Sequence, residues 1–107
     1  MKYQTHRDTV IETEGSFFQG YIRSDFVELF NTFNSPLMGD GYKVDAEWHI
    51  KFEDGTIATI YNWKNGKNYL GDVGLEVTDM RTWHVGGYSK VALIHVSKIL
   101  NKLLIEA

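Results

Sequence analysis

Asp54-Gly55, set between two runs of alternating polarity, is the feature that most limits what this chain can fold into. Asp-Gly favours a two-residue type I′ turn, in which both central residues take positive φ. Such a turn predicts a hairpin in which Phe52 faces Ile57, Ile50 faces Thr59, Trp48 faces Tyr61 and Ala46 faces Trp63. Side chains alternate along a strand, so these pairs share one side of the sheet. Glu53/Thr56, Lys51/Ala58, His49/Ile60 and Glu47/Asn62 take the other side. The first side is aromatic and β-branched and is expected to face the core, with Trp48 and Tyr61 together inside. A slip of the whole pattern would bury Lys51 and Glu47.

The other segments read as elements around this hairpin. Residues 8–23 predict β structure, with Glu14-Gly15-Ser16 as a turn. Phe17 and Phe18 are adjacent, so one of them leaves the main core for a second cluster, an interface or a ligand platform. Residues 25–34 predict a short helix: Asp25 caps it, Glu28 stands three residues on, and Phe26, Leu29, Phe30 and Phe33 form an apolar stripe. Asn34-Ser35-Pro36 ends it, because the residue before proline avoids the α region. Gly39-Asp40-Gly41 has the flavour of a phosphate loop, but no Lys-Ser/Thr and no helix follow, so a plain connection is expected. Asn65-Gly66 predicts another turn. Residues 73–79 and 80–85 predict two further strands, and Gly86-Gly87 a break before a final helix.

That helix is expected from Ser89 to Ile105. Its apolar residues cover more than one stripe, and a helix packed only on its own sheet needs no such surplus. A homo-oligomer formed through this C-terminal helix is the expected consequence.

Composition narrows the class. With 107 residues, 43% hydrophobic and 14% aromatic, the chain can bury a core as one domain over residues 1–107. There is no cysteine, which removes thiol chemistry, disulfides and Cys-based zinc sites. No apolar run approaches the roughly 20 residues a membrane helix needs. The N-terminal residues lack the apolar segment of a signal peptide, so a cytoplasmic protein with no membrane partner is expected. The net charge of −3, with both signs interleaved, argues against an extended nucleic-acid partner. The expected fold class is α+β: an antiparallel sheet of about five strands, one short helix and a long C-terminal helix.

No catalytic motif, metal-ligand spacing or cofactor motif is present. Of His6, His49, His84 and His95, none has ligand spacing, and His84, before Val-Gly-Gly, is the most credible site histidine. A general acid or base there would need an oriented partner, for which Glu47 and Asp79 are candidates. The stronger pattern is aromatic and cationic. Tyr42-Lys43 enter the hairpin, Trp63-Lys64 and Lys67-Tyr69 bracket Asn65-Gly66, and Arg81 precedes Trp83-His84. Aromatic faces stack on nucleobases for roughly 1–3 kcal/mol each, and Lys and Arg meet phosphates. The backbone amides of Gly86 and Gly87 near a helix start would add anion donors. Packing alone also favours Trp and Tyr in hairpins, so the same pattern has a structural reading.

The segments GSFFQGYI, FNSP, GDGYKVDAEWHIKFEDGTIATIYNWKNGKNYLG and WHVGG together resemble small uncharacterised proteins encoded by bacteriophages and other large DNA viruses. The resemblance covers most of residues 15–87. It implies an accessory, anti-defence protein, of the kind that sequesters nucleotide signals of bacterial immunity without cleaving them. On that reading the partner is a small nucleotide-like ligand. Two alternatives stand beside it: a protein-binding inhibitor of a host defence factor, anchored by Phe17 or Phe18, and a small His-dependent phosphodiesterase using His84.

Overall fold

The computed structural model describes residues 1–107. In chain order the elements are β1 (Tyr3–Thr5), β2 (Phe17–Arg23), α1 (Phe26–Phe33), β3 (Glu47–Phe52), β4 (Ile57–Tyr61), α2 (Lys67–Leu70), β5 (Thr82–Gly87), α3 (Lys90–Leu100) and β6 (Leu104–Glu106). The strands form one sheet in the order β1-β3-β4-β5-β2-β6, with every neighbour antiparallel. The fold is α+β, as expected, but with six strands rather than five. The additions are the short edge strands β1 and β6. The strand expected at 73–79 is absent: 3-10 turns at Gly71–Val73 and Val77–Asp79 occupy that stretch. Residues 8–16 are not strand either, although the turn expected there forms, with the Ser16 N–H donating to the Thr13 carbonyl at 3.0 Å.

The hairpin forms where Asp54-Gly55 places it, but one residue out of the expected register. Trp48 pairs with Ile60, Ile50 with Ala58 and Glu47 with Tyr61. The loop holds three residues, Glu53-Asp54-Gly55. Gly55 alone takes positive φ, at 90°, and its N–H donates to the Phe52 carbonyl at 2.9 Å. This is the type I turn closed by a left-handed glycine, the next commonest hairpin connection after the primed two-residue turns. Asp54 then accepts from the Thr56 N–H and from His95 on α3, which holds its carboxyl down to about 2.

The extra loop residue has a large consequence. On β3 the buried side remains Ala46, Trp48, Ile50 and Phe52, as expected. On β4 the buried side becomes Ala58 and Ile60, with Asn62 just beyond the strand, instead of Ile57, Thr59 and Tyr61. Trp48 and Tyr61 therefore stand on opposite faces of the sheet. The expected internal pair does not exist, and Tyr61 becomes available to the other face.

The core lies between the first face and the helices α1 and α3. Trp48 and Trp83 meet edge to face at 5.5 Å, and Trp48 Nε1 donates to the Asn34 carbonyl at 2.7 Å. Asp25 caps α1 by accepting from the Glu28 N–H at 2.8 Å. Glu28 accepts from the Ser24 hydroxyl at 2.6 Å instead of returning to the cap N–H. The apolar stripe of α1 buries Leu29 and Phe33 and leaves Phe30 partly exposed.

The last helix is shorter than expected. Asn101 takes the left-handed conformation and the Lys102 N–H returns to the Ser97 carbonyl at 3.1 Å, which closes α3. Leu104 and Ile105, expected on the helix, pair with β2 instead. The helix then buries one stripe, Ala92, Leu93, Val96 and Leu100. Leu104 and Ile105 drop out of the apolar surplus on which the expected oligomer rests, while Val91 and Ile94 stay on α3 and remain exposed. Gly86 and Gly87, expected to break the chain, are the end of β5 and pair with β4 and β2. Their position in the ladder replaces the anion-donor role expected of them at a helix start. No helix is long and apolar enough to cross a membrane.

Candidate functional site

Neither α1 nor α3 covers the second face of the sheet, and β2 turns two rings toward it. The β2–β5 register slips between Phe18 and Gly20, so Gln19 is an extra residue. In a regular strand Phe18 and Tyr21 would point to opposite faces. The bulge brings both to one face, 5.0 Å apart. Tyr21 pairs with His84, and His84 with Tyr61 on the next strand. His84 is thus ringed by Phe18 at 5.1 Å, Tyr21 at 4.8 Å and Tyr61, stacked at 5.4 Å. Trp63 stands edge to face with Tyr61 at 6.4 Å.

The His84 ring makes no hydrogen bond to the protein. Burial among the rings pushes its pKa below the ordinary histidine value, so its neutral form dominates at pH 7. Neither of the expected acid partners reaches it. Glu47 bonds to His49 Nε2 on its own strand, and Asp79 lies in the turn before β5. Tyr61 also stays protonated: burial first, then the Glu47 charge, raises its pKa.

The depressed pKa of His84 fixes a sign for acid stability. The unfolded chain takes up a proton near pH 6.5, and the folded chain resists it until a lower pH. Stability from this group is complete above pH 6.5 and falls as pH drops toward the folded pKa. Urea unfolding at pH 7.5 and 5.5 should show a smaller acid loss in His84→Phe than in the parent. Equal losses would show that His84 is not held neutral.

The second half of the site comes from loops. Asn62 is wholly buried and organises them. Its Oδ1 accepts from the Asp45 and Ala46 N–H groups at 2.8 and 3.1 Å. Its Nδ2 donates to Asp45 Oδ1 and Asn65 Oδ1 at 2.8 and 3.1 Å. Asp45 Oδ2 accepts from the Asn68 N–H at 3.1 Å, and the Lys64 N–H donates to the Lys43 carbonyl at 2.8 Å. These bonds lash residues 62–68 to residues 43–46. Lys64, and not Asn65-Gly66, makes the reversal, with φ 60°.

Five of the residues expected from the sequence therefore come together. Lys43 Nζ lies 5.4 Å from the Trp63 ring and 5.8 Å from Tyr42. Lys64 Nζ lies 5.8 Å from Trp63 and 5.6 Å from Tyr69. Tyr42 and Tyr69 meet at 5.3 Å. His84 joins the cluster through Tyr61. The other three do not join it. Trp83 is wholly buried in the core and offers no face to a surface ligand. Lys67 turns to the Asp72 carbonyl at 3.2 Å and Glu76 at 3.7 Å. Arg81 folds onto the Thr78 and Met80 carbonyls.

Two hollows adjoin Trp63. One, of about 310 Å³, is aromatic, lined by Phe18, Tyr61, Trp63 and His84. The other, of about 260 Å³, is polar, with Thr13, Ser16, Thr59, Asp40 and Glu47 around the Tyr61 and Trp63 rings. The Gly39–Gly41 loop beside it is no phosphate cradle. Asp40 Oδ1 itself fills the nest, accepting from the N–H groups of Tyr42, Lys43 and Val44 at 2.9 Å each. Those bonds, that of Tyr42 foremost, lower the Asp40 pKa.

Sequence reasoning missed Tyr21, Thr59 and Tyr61 as site residues. The two-residue turn expected at Asp54-Gly55 puts Tyr61 in the core, and the observed register puts it on the other face. Tyr21 is brought beside Phe18 by a bulge for which Gly20 is the only local signal. No group of three or more His, Cys, Asp or Glu side chains converges as metal ligands would. The structure defines the class as an α+β domain with an aromatic-lined open sheet face. No protein-family model matches the chain, and no curated protein or solved structure matches it.

Proposed function

We propose that this chain is a non-enzymatic, phage-type accessory protein that binds and sequesters a small nucleotide-derived immune signal in the host cytoplasm. The observation that carries the reading is the position of Trp63. It is 41% exposed, borders both hollows and has two ammonium groups within 6 Å of its ring. A base would stack in the aromatic hollow, and Lys43 and Lys64 would meet phosphate. The phage context rests on the sequence resemblance alone.

Trp48 and Trp83 are wholly buried, so ligand-dependent quenching of tryptophan fluorescence reports on Trp63. Titration with a panel of cyclic and ADP-ribose-type nucleotides should give quenching at micromolar ligand. Trp63→Ala should weaken binding by about tenfold to a hundredfold, the range for one lost base stack. Chromatography of the bound nucleotide should return it intact. No heat and no quenching across the panel would remove the proposal, and cleavage products would favour a hydrolase built on His84.

A protein-binding inhibitor is the second reading, favoured by Phe17, which is 60% exposed at the rim of the polar hollow. A stoichiometric host protein retained in the presence of competing nucleotide would support it over sequestration.

A further inference from the structure

The polar hollow beside Trp63 has a chemistry that a phosphate does not suit. No Lys, Arg or His lines it, and two carboxylates do. Asp40 spends its Oδ1 on three backbone N–H groups. Glu47 gives Oε2 to His49, and its Oε1 has no protein partner. Thr59 is 5% exposed, faces the hollow, and its hydroxyl makes no hydrogen bond to the protein. That hydroxyl opens into the hollow and is free to meet a ligand or water; the one sealed side-chain polar atom without a partner is Trp83 Nε1 in the core. Gly86, across from Thr59 in the β4–β5 ladder, leaves the space around it open: a Cβ there would come within 2.5 Å of the Thr59 Oγ1.

Glu47 and Thr59 are diagonal neighbours on adjacent strands, since Glu47 pairs with Tyr61 and His49 with Thr59. One supplies a carboxylate acceptor, the other a hydroxyl that both donates and accepts. A vicinal diol presents the matching pair of groups, and a carboxylate on a ribose hydroxyl is a recurrent way of holding nucleotides. We propose that this hollow is a ribose subsite in which Glu47 and Thr59 hold the 2′- and 3′-hydroxyls of the ligand. The inference rests on the nucleotide reading above and narrows it to nucleotides with a free ribose diol. The base would then take the Phe18–His84 hollow and the ribose the hollow beside Glu47 and Thr59, with Lys43 and Lys64 over the Trp63 ring that the two hollows share. A 3′,5′-cyclic linkage consumes the 3′-hydroxyl and is disfavoured.

The test is calorimetry with the four ribonucleoside 5′-monophosphates, each against its 2′-deoxy counterpart, and with methyl riboside. The ribonucleotide should bind about tenfold to a hundredfold tighter than the deoxynucleotide, as expected for a lost hydrogen bond to a charged or buried group. Thr59→Val, close to isosteric, and Glu47→Gln should each shrink that ratio, while Lys43→Ala should weaken both members alike. Pairs that bind within twofold of each other overturn the ribose subsite and leave nucleotide binding standing. Methyl riboside binding that is lost in Thr59→Val, with no nucleotide bound, keeps the subsite and overturns the nucleotide reading. No binding by any probe overturns both.

Discussion

Asn62→Ala should lower the free energy of unfolding by about 3 kcal/mol. The side chain is buried and makes four hydrogen bonds, two to backbone N–H groups and two to side-chain oxygens. Alanine leaves the N–H groups of Asp45 and Ala46 without their acceptor, and a buried group left unpaired costs more than the bond itself contributed. In a chain of this length the change should appear as a fall in Tm of roughly 10–20 °C. The loss should reach the site too, because the same bonds hold Trp63 and Lys64 against Lys43. Fluorescence of the folded variant should shift to the red as Trp63 becomes more exposed. A Tm within 3 °C of the parent would mean that the loops are held by something other than this network.

Gly20→Ala is expected to be as costly, for a different reason. Gly20 follows the bulge at φ 154° and lies between β5 and β6. A Cβ would stand 2.4 Å from the Ile105 carbonyl oxygen and 2.8 Å from Leu93 Cδ2. The first obstacle is backbone and cannot rotate away. Overpacking of this kind costs about 1–3 kcal/mol, and the unfavourable backbone conformation adds about 1–3 kcal/mol more. The relief open to the chain is to release β6. Hydrogen exchange should therefore show lost protection for the Ala107 amide, which donates to the Gln19 carbonyl, and for the β6 ladder. A Gly20→Ala protein with unchanged stability and full protection at β6 would show that the bulge tolerates a side chain.

Both variants test what holds the open face together, and both sit where local sequence signals are thin. The cluster of Tyr42, Lys43, Trp63, Lys64 and Tyr69 was legible as composition, since aromatic and basic residues recur in those loops. Its assembly depends on Asn62 and Asp45, two ordinary-looking polar residues whose pairing has no local signature. Trp83 lies in the core although its neighbour His84 faces the site. Adjacent residues on a strand point to opposite sides, and only the strand's pairing decides which side is covered.

The sequence by itself determined the class of fold, the place of the central hairpin, the buried side of β3, and the caps that start α1 and α3. Those features are encoded in a few consecutive residues: Asp54-Gly55, the alternation of Ala46 to Phe52, Asp25 and Ser89. Only the tertiary structure decided the register of β4, the length of α3 and hence the makeup of the open face. Asp-Gly suits a two-residue loop and a three-residue loop alike, and one residue of difference reverses every side chain on the following strand. That single residue took Tyr61 out of the core, set it against His84 and left Thr59 facing a hollow.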